Sequence, residues 1–174
     1  MKQIVIHAIQ AELVYDIENV THQLARHRTA LSVEDQFVLQ TSDTETDRAM
    51  IKRSLDRAYS KVLRALSSVL SDETWAYADD DLELTDKNGY YLYINVKDDF
   101  REAKTEAAAM AFHDFLINTA IFDWLLVGKP DEASAYKVLL DENLSELKGI
   151  VMDRTGFYPI DPFPHFKEEN NRHR

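Results

Sequence analysis

WAYADDDLELTDKNGYYLYINV, Trp75 to Val96, is the stretch on which the fold turns. Leu82 and Leu84 alternate with polar residues before Asn88-Gly89, and Leu92, Ile94 and Val96 alternate after it. Alternation is the period of a strand buried on one face, and Asn-Gly is the dipeptide that most readily closes a two-residue hairpin. A β-hairpin over about 74–96 is therefore expected, set into a chain whose other long segments follow a helical period.

Outward from that stretch, apolar residues recur at spacings of three and four. Upstream, Ile6, Ile9, Leu13, Ile17, Val20 and Leu24 form one stripe of a helix over roughly 3–30. SVEDQFVLQ (Ser32 to Gln40) fits a short helical turn. TSDTETD (Thr41 to Asp47) brings capping hydroxyls and carboxylates to a helix start. Ile51, Leu55, Ala58, Val62, Leu66 and Val69 carry that second helix to about Leu70. Downstream, a third helix runs from near Asp98 to about Val127, stopped by Gly128 and Pro130. It is apolar over most of its circumference, so Ile121 and Trp124 are expected in the core. A fourth spans about Asp131 to Arg154 on the stripe Ala133, Tyr136, Leu140, Leu144, Leu147 and Val151, with Gly156 at the capping position.

The tail FYPIDPFPHFKEENNRHR sets Pro159, Pro162 and Pro164 among Phe157, Tyr158, Phe163 and Phe166. Proline excludes helix and favours an extended arm, and exposed aromatics favour docking, on the chain's own helices or on a neighbouring subunit. The expected architecture is mainly α. One domain, 1–156, is a four-helix bundle with a β-hairpin inserted between helices 2 and 3, and 157–174 is an extended C-terminal arm.

Composition narrows the function classes. Apolar residues make up 45% of the 174 and charged residues 29%, the balance of a globular chain rather than a disordered one. Four glycines and four prolines are too few for the many turns of a sandwich or barrel. The absence of cysteine excludes disulfides, thiol nucleophiles and Cys-ligated metals. Twenty Lys and Arg against 31 Asp and Glu leave a formal charge of −11, which repels nucleic acid and anionic membranes. No stretch reaches 18 uninterrupted apolar residues, and MKQIVIHAIQAELVYD lacks the form of a signal peptide, so the cytoplasm is the expected location.

Chemistry-bearing motifs are scarce. GxxxxGK[ST], GxGxxG, GxSxG and HExxH do not occur. Asp86, Asn88 and Gly89 stand in the relative order of a calcium loop, but Leu84 and Asn95 occupy the first and last ligand positions. Asp79, Asp80 and Asp81 read as a solvated, charge-rich strand end that blunts edge pairing. The polar residues of HDFLINTAIFDWLLVGKP (His113 to Pro130) read as the wet edge of a buried helix. His113 and Asp114, as neighbours, point about 100° apart. No Glu has a His three residues later, as carboxylate-bridged di-iron bundles require. No cofactor or metal is expected. The alternative, a metal-dependent hydrolase or transferase on a histidine-bearing bundle, would draw on Glu18, His22 and His113.

The second helix is the exception to the acidic background. From Arg48 to Leu70 there are six basic residues and one acid, Asp56, and Arg53, Arg57, Lys61 and Arg64 fall on one face. The segment Asp72 to Asp99 holds nine acids and two lysines. Such polarisation makes an electrostatic docking face for a protein partner or another subunit, unless acidic neighbours within the fold neutralise it. Missing aromatic interleaving and the net charge count against nucleic acid.

IFDWLLVGKPDEASAYKVLLDENLSELKGIVMDRTGFYP contains a Trp-Leu helix end, a Lys-Pro-Asp-Glu helix start, an Ala-x-x-Tyr and an Arg before a proline-containing tail. In these features it resembles the C-terminal part of small uncharacterised proteins from the structural-gene cassettes of tailed phages and prophages. The resemblance covers about a quarter of the chain. It implies a non-enzymatic role in virion assembly, of the head–tail or neck type, in an oligomeric ring, with the virion as location. It carries no catalytic residue over.

Overall fold

A computed structural model describes residues 1–26, 40–41, 44–79 and 88–152. In chain order the elements are strand β1 (Lys2–Ile9), helix α1 (Gln10–Arg26), helix α2 (Glu45–Leu66), the short helix α3 (Asp72–Asp79), strand β2 (Gly89–Val96), helix α4 (Glu102–Gly128) and helix α5 (Pro130–Met152). The described chain is mainly helical, with one two-stranded antiparallel sheet.

The sheet departs from the expected hairpin. β2 pairs with β1, Ile6 opposite Leu92 and Ile4 opposite Ile94, so the partner strand lies at the other end of the described sequence. Residues 74–79, expected to begin the hairpin, belong to the helix Asp72–Asp79. Leu82 and Leu84 lie outside the described residues, as do Asp80 and Asp81. The alternation of Leu92, Ile94 and Val96 is real, and all three are buried with Tyr90. Gly89 opens β2 where it meets β1: a Cβ there would fall on the Ala8 carbonyl, so glycine serves close backbone approach.

The helix expected over 3–30 is likewise a strand followed by a helix. Ile4, Ile6 and Ala8 are buried while Val5, His7 and Ile9 are exposed, a period of two. Ile6, Ile9 and Leu13 also fit a helical stripe, and only a sheet partner decides between the two periods. From Gln10 onward the helical reading holds, with Leu13, Ile17, Thr21 and Ala25 facing inward.

The other long helices fall near their expected places. Thr44 caps α2, its hydroxyl accepting from the Asp47 N–H at 3.3 Å. Ile51, Leu55, Ala58, Val62 and Leu66 are buried. α4 is the central helix: α1, α2, α5 and β1 all pack on it. Its buried residues, among them Phe112, Phe115, Leu116, Ile117 and Ile121, spread around the circumference. By length and composition alone α4 could cross a membrane, but its apolar surface serves here as the core of the fold. Trp124 departs from expectation, being only partly buried at the core margin. Ala133, Leu140, Leu147 and Val151 of α5 are buried and Tyr136 and Leu144 partly so. Gly156 and the arm residues Phe157, Tyr158, Phe163 and Phe166 lie outside the described residues.

Between α2, α3 and β2 sits a phenol cluster that the sequence reading did not find. The Tyr59 hydroxyl donates to the Tyr91 carbonyl at 2.6 Å, and Tyr77 to the Gly89 carbonyl at 2.5 Å. Tyr90 donates to Asp56 Oδ1 at 2.9 Å. Burial holds the Tyr59 and Tyr90 hydroxyls well above the ordinary phenol range and, with help from Tyr91 and Tyr93, pushes Tyr77 up to about 12. All three therefore stay protonated donors.

Candidate functional site: a basic helix face and the cleft beside it

α2 lies with its apolar stripe on α4, which leaves its opposite side to solvent. Arg53, Arg57, Lys61 and Arg64 are all exposed, as the sequence spacing implies. Among the described residues, one carboxylate reaches them. Asp123 of α4, whose side chain is only 16% exposed, meets Arg57 Nη2 at 3.1 Å. That pair explains one polar residue of the apolar run His113–Pro130: Asp123 anchors α2 to α4. Arg57 also donates to Ser54 Oγ at 3.1 Å and Arg64 to the Ser60 carbonyl at 3.2 Å, contacts that hold both guanidinium groups along the helix.

Among the described residues, no carboxylate pairs with Arg53, Lys61 or Arg64. The single acid within the basic stretch is turned away from them. Asp56 is half-buried, and burial raises its carboxyl above the usual range against the opposing effects of the Tyr90 hydroxyl and Lys52. The hydrogen bond from Tyr90 thus keeps Asp56 on the inner side of α2, away from the face that carries Arg53, Lys61 and Arg64.

At the N-terminal end of α2 a cleft of about 850 Å³ separates it from α1, walled by Gln10, Val14 and Glu18, by Arg48 and Lys52, and by Tyr91. Glu18 Oε1 is buried there without a hydrogen-bond partner among the described residues. Arg48 and Lys52 carry the positive character of α2 into this cleft. Its wall was not legible beforehand, because Glu18 and Lys52 converge only once α1 and α2 are placed.

The three residues of the metal alternative do not share one face. His113 Nε2 approaches Asp16 Oδ2 at 3.4 Å and Nδ1 approaches Asp114 at 3.8 Å, contacts that become ion pairs when the imidazole is protonated. The His113–Asp114 approach is closer than their helical angle implied, though weak. His22 is exposed and six residues beyond Asp16, about 240° further around α1, so a side chain that meets Asp16 does not meet His22. No three ligand-type side chains converge among the described residues. No known protein family matches this chain, nor does any curated protein or solved structure.

Proposed function

We propose that this is a non-enzymatic interaction protein, built on a bundle of four long helices, whose α2 docks an acidic protein surface within a larger assembly. The observation that carries the reading is the exposure of Arg53, Lys61 and Arg64 on one face with no carboxylate against them among the described residues, while Asp56 is held inward by Tyr90. A helix that the fold neutralised would offer a partner little. This one retains most of its charge at the surface, where complementary charge speeds encounter and selects the partner. The resemblance of the C-terminal quarter narrows the assembly to a virion's head–tail or neck region.

The test is fluorescence anisotropy with three labelled probes: an Asp/Glu-rich peptide, a neutral peptide of equal length and a DNA duplex. The chain should bind the acidic peptide, more weakly as salt rises. The combined variant Arg53→Glu, Lys61→Glu, Arg64→Glu should bind it at least about tenfold more weakly, a loss of roughly 1.4 kcal/mol, with unchanged melting. Equal binding by the variant sinks the docking face. Preference for the duplex replaces the acidic protein with nucleic acid.

A further inference from the structure

The two strands differ at their outer edges. Tyr93 and Asn95 direct their main-chain groups away from β1: Tyr93 N–H to Thr74 Oγ1 at 2.8 Å, Asn95 N–H to the Val69 carbonyl at 2.8 Å. In an antiparallel ladder these directions alternate, so even-numbered residues bond across the β1–β2 pair. By the same alternation the N–H and C=O groups of Gln3, Val5, His7 and Ile9 point away from β2. On β2 the outward row is met by Tyr77, Tyr59, Thr74, Ser71 and Val69. No described residue meets the outward row of β1.

From Gln3 to Ile9, that edge has none of the usual guards among the described residues. It runs eight residues without proline or bulge, and its ladder with β2 is regular throughout. Val5 is 45% and Ile9 38% exposed. No Asp, Glu, Lys or Arg occurs from Gln3 to Ala11. A long, flat, uncharged edge is a template for another strand.

We propose that β1 pairs antiparallel with β1 of a second copy, so that the two sheets join into one of four strands, ordered β2–β1–β1–β2. The strand suits itself as a partner. With the two-fold axis at Ile6, Ile6 meets Ile6 and Ile4 meets Ala8 on the inner face. On the outer face Val5 meets His7 and Gln3 meets Ile9. No like charges are opposed; Ile6, Ile4 and Val5 face Ile6, Ala8 and His7, and only Ile9 faces a polar side chain, Gln3. Two chains of charge −11 repel each other, and the uncharged stretch from Gln3 to Ala11 is where they can approach with least opposition. An interface of one strand per copy lies at the small end of specific contacts, so the dimer forms in the micromolar range. The pairing uses none of Arg53, Lys61 and Arg64 and is argued independently of the docking proposed for them.

Sedimentation equilibrium from about 5 to about 200 µM, with amide hydrogen exchange at both ends of that range, tests the pairing. The mass should rise from one chain to two. The Val5 and His7 amides should gain protection with concentration, while the Ile4 and Ile6 amides, already bonded to β2, are protected throughout. Val5→Pro removes one outward N–H at an edge position where proline is tolerated, and Val5→Lys adds a guarding charge. Both should remain monomeric while melting like the diluted parent. A single-chain mass at the highest concentration overturns the proposal. So does a dimer that persists undiminished in both variants.

Discussion

β2 and β1 are each eight residues long and bonded to one another, yet they are held in different ways. β2 is covered on both sides: Leu92, Ile94 and Val96 face the core, while Tyr91, Tyr93 and Asn95 on the other face are half-buried near α3. The Tyr77 ring packs edge-on against Tyr91, and Thr74 both donates to and accepts from the Tyr93 main chain. β1 is buried on one face only and stacks His7 on Tyr91 at its surface. A strand's stability is thus set by what surrounds it. β2 is the anchor and β1 the strand that leans on it.

The largest way to break that comparison is to hollow the anchor. Leu92 is fully buried, so Leu92→Ala should cost about 3–5 kcal/mol in a urea melt. A cost below about 1 kcal/mol would mean that β2 is not anchored by its inner face. Val5→Ala, at the matching depth on the exposed side of β1, should stay within about 0.5 kcal/mol.

Gly89→Ala comes next. The new methyl meets the Ala8 carbonyl, so the strands must part at the end where Gln10 N–H bonds the Asn88 carbonyl at 3.0 Å. A loss of about 1–3 kcal/mol is expected, concentrated in faster amide exchange at Ala8 and Gln10. Unchanged exchange there would show that the turn side, and not β1, requires the glycine.

Thr74→Val keeps the shape of the side chain and deletes its hydroxyl. The Tyr93 N–H then loses its acceptor, and about 1–2 kcal/mol should go with it. If the melt does not move, β2 owes its hold to packing alone.

Asp56→Asn sharpens the comparison from the helix side, with the smallest effect. Because burial holds the folded carboxyl above the ordinary carboxylate range, the folded state takes up this proton more readily than the unfolded chain. The associated stabilisation is full below the unfolded value and lost as pH rises through the folded one. The stability difference between parent and variant should therefore shift toward the parent as pH falls from 7 to about 4. A difference flat in pH would place Asp56 in open water, away from Tyr90.

These elements also show what a sequence discloses and what it withholds. The residues of β2 alternate visibly because β2 packs a core face, α2 and α5 repeat their stripes because each buries one, and α4 is apolar nearly all round because other elements pack on several of its sides. Ile4, Val5 and Ile6 are as β-prone as Leu92 and Ile94, but their neighbours fit a helical stripe equally well. Their partners, Ile94, Tyr93 and Leu92, sit about 90 residues away, beyond any local window. The basic face needed only helical spacing and was legible. The seclusion of Asp56, the anchoring of Arg57 by Asp123 and the cleft around Glu18 depend on which helix lies beside which, and local pattern carries no such information.

The distance between the two strands has a consequence for synthesis. At about 5–20 residues per second, a ribosome that has finished Ile9 takes roughly 4–16 s to reach Gly89. Through that interval Ile4 and Ile6 have no sheet to join, and β1 is a bare apolar segment on a nascent chain. Local helices close within microseconds, whereas a pairing of this sequence separation must wait for its partner to be made. The strand that leans on β2 in the finished molecule is therefore the one that waits longest for its partner during synthesis.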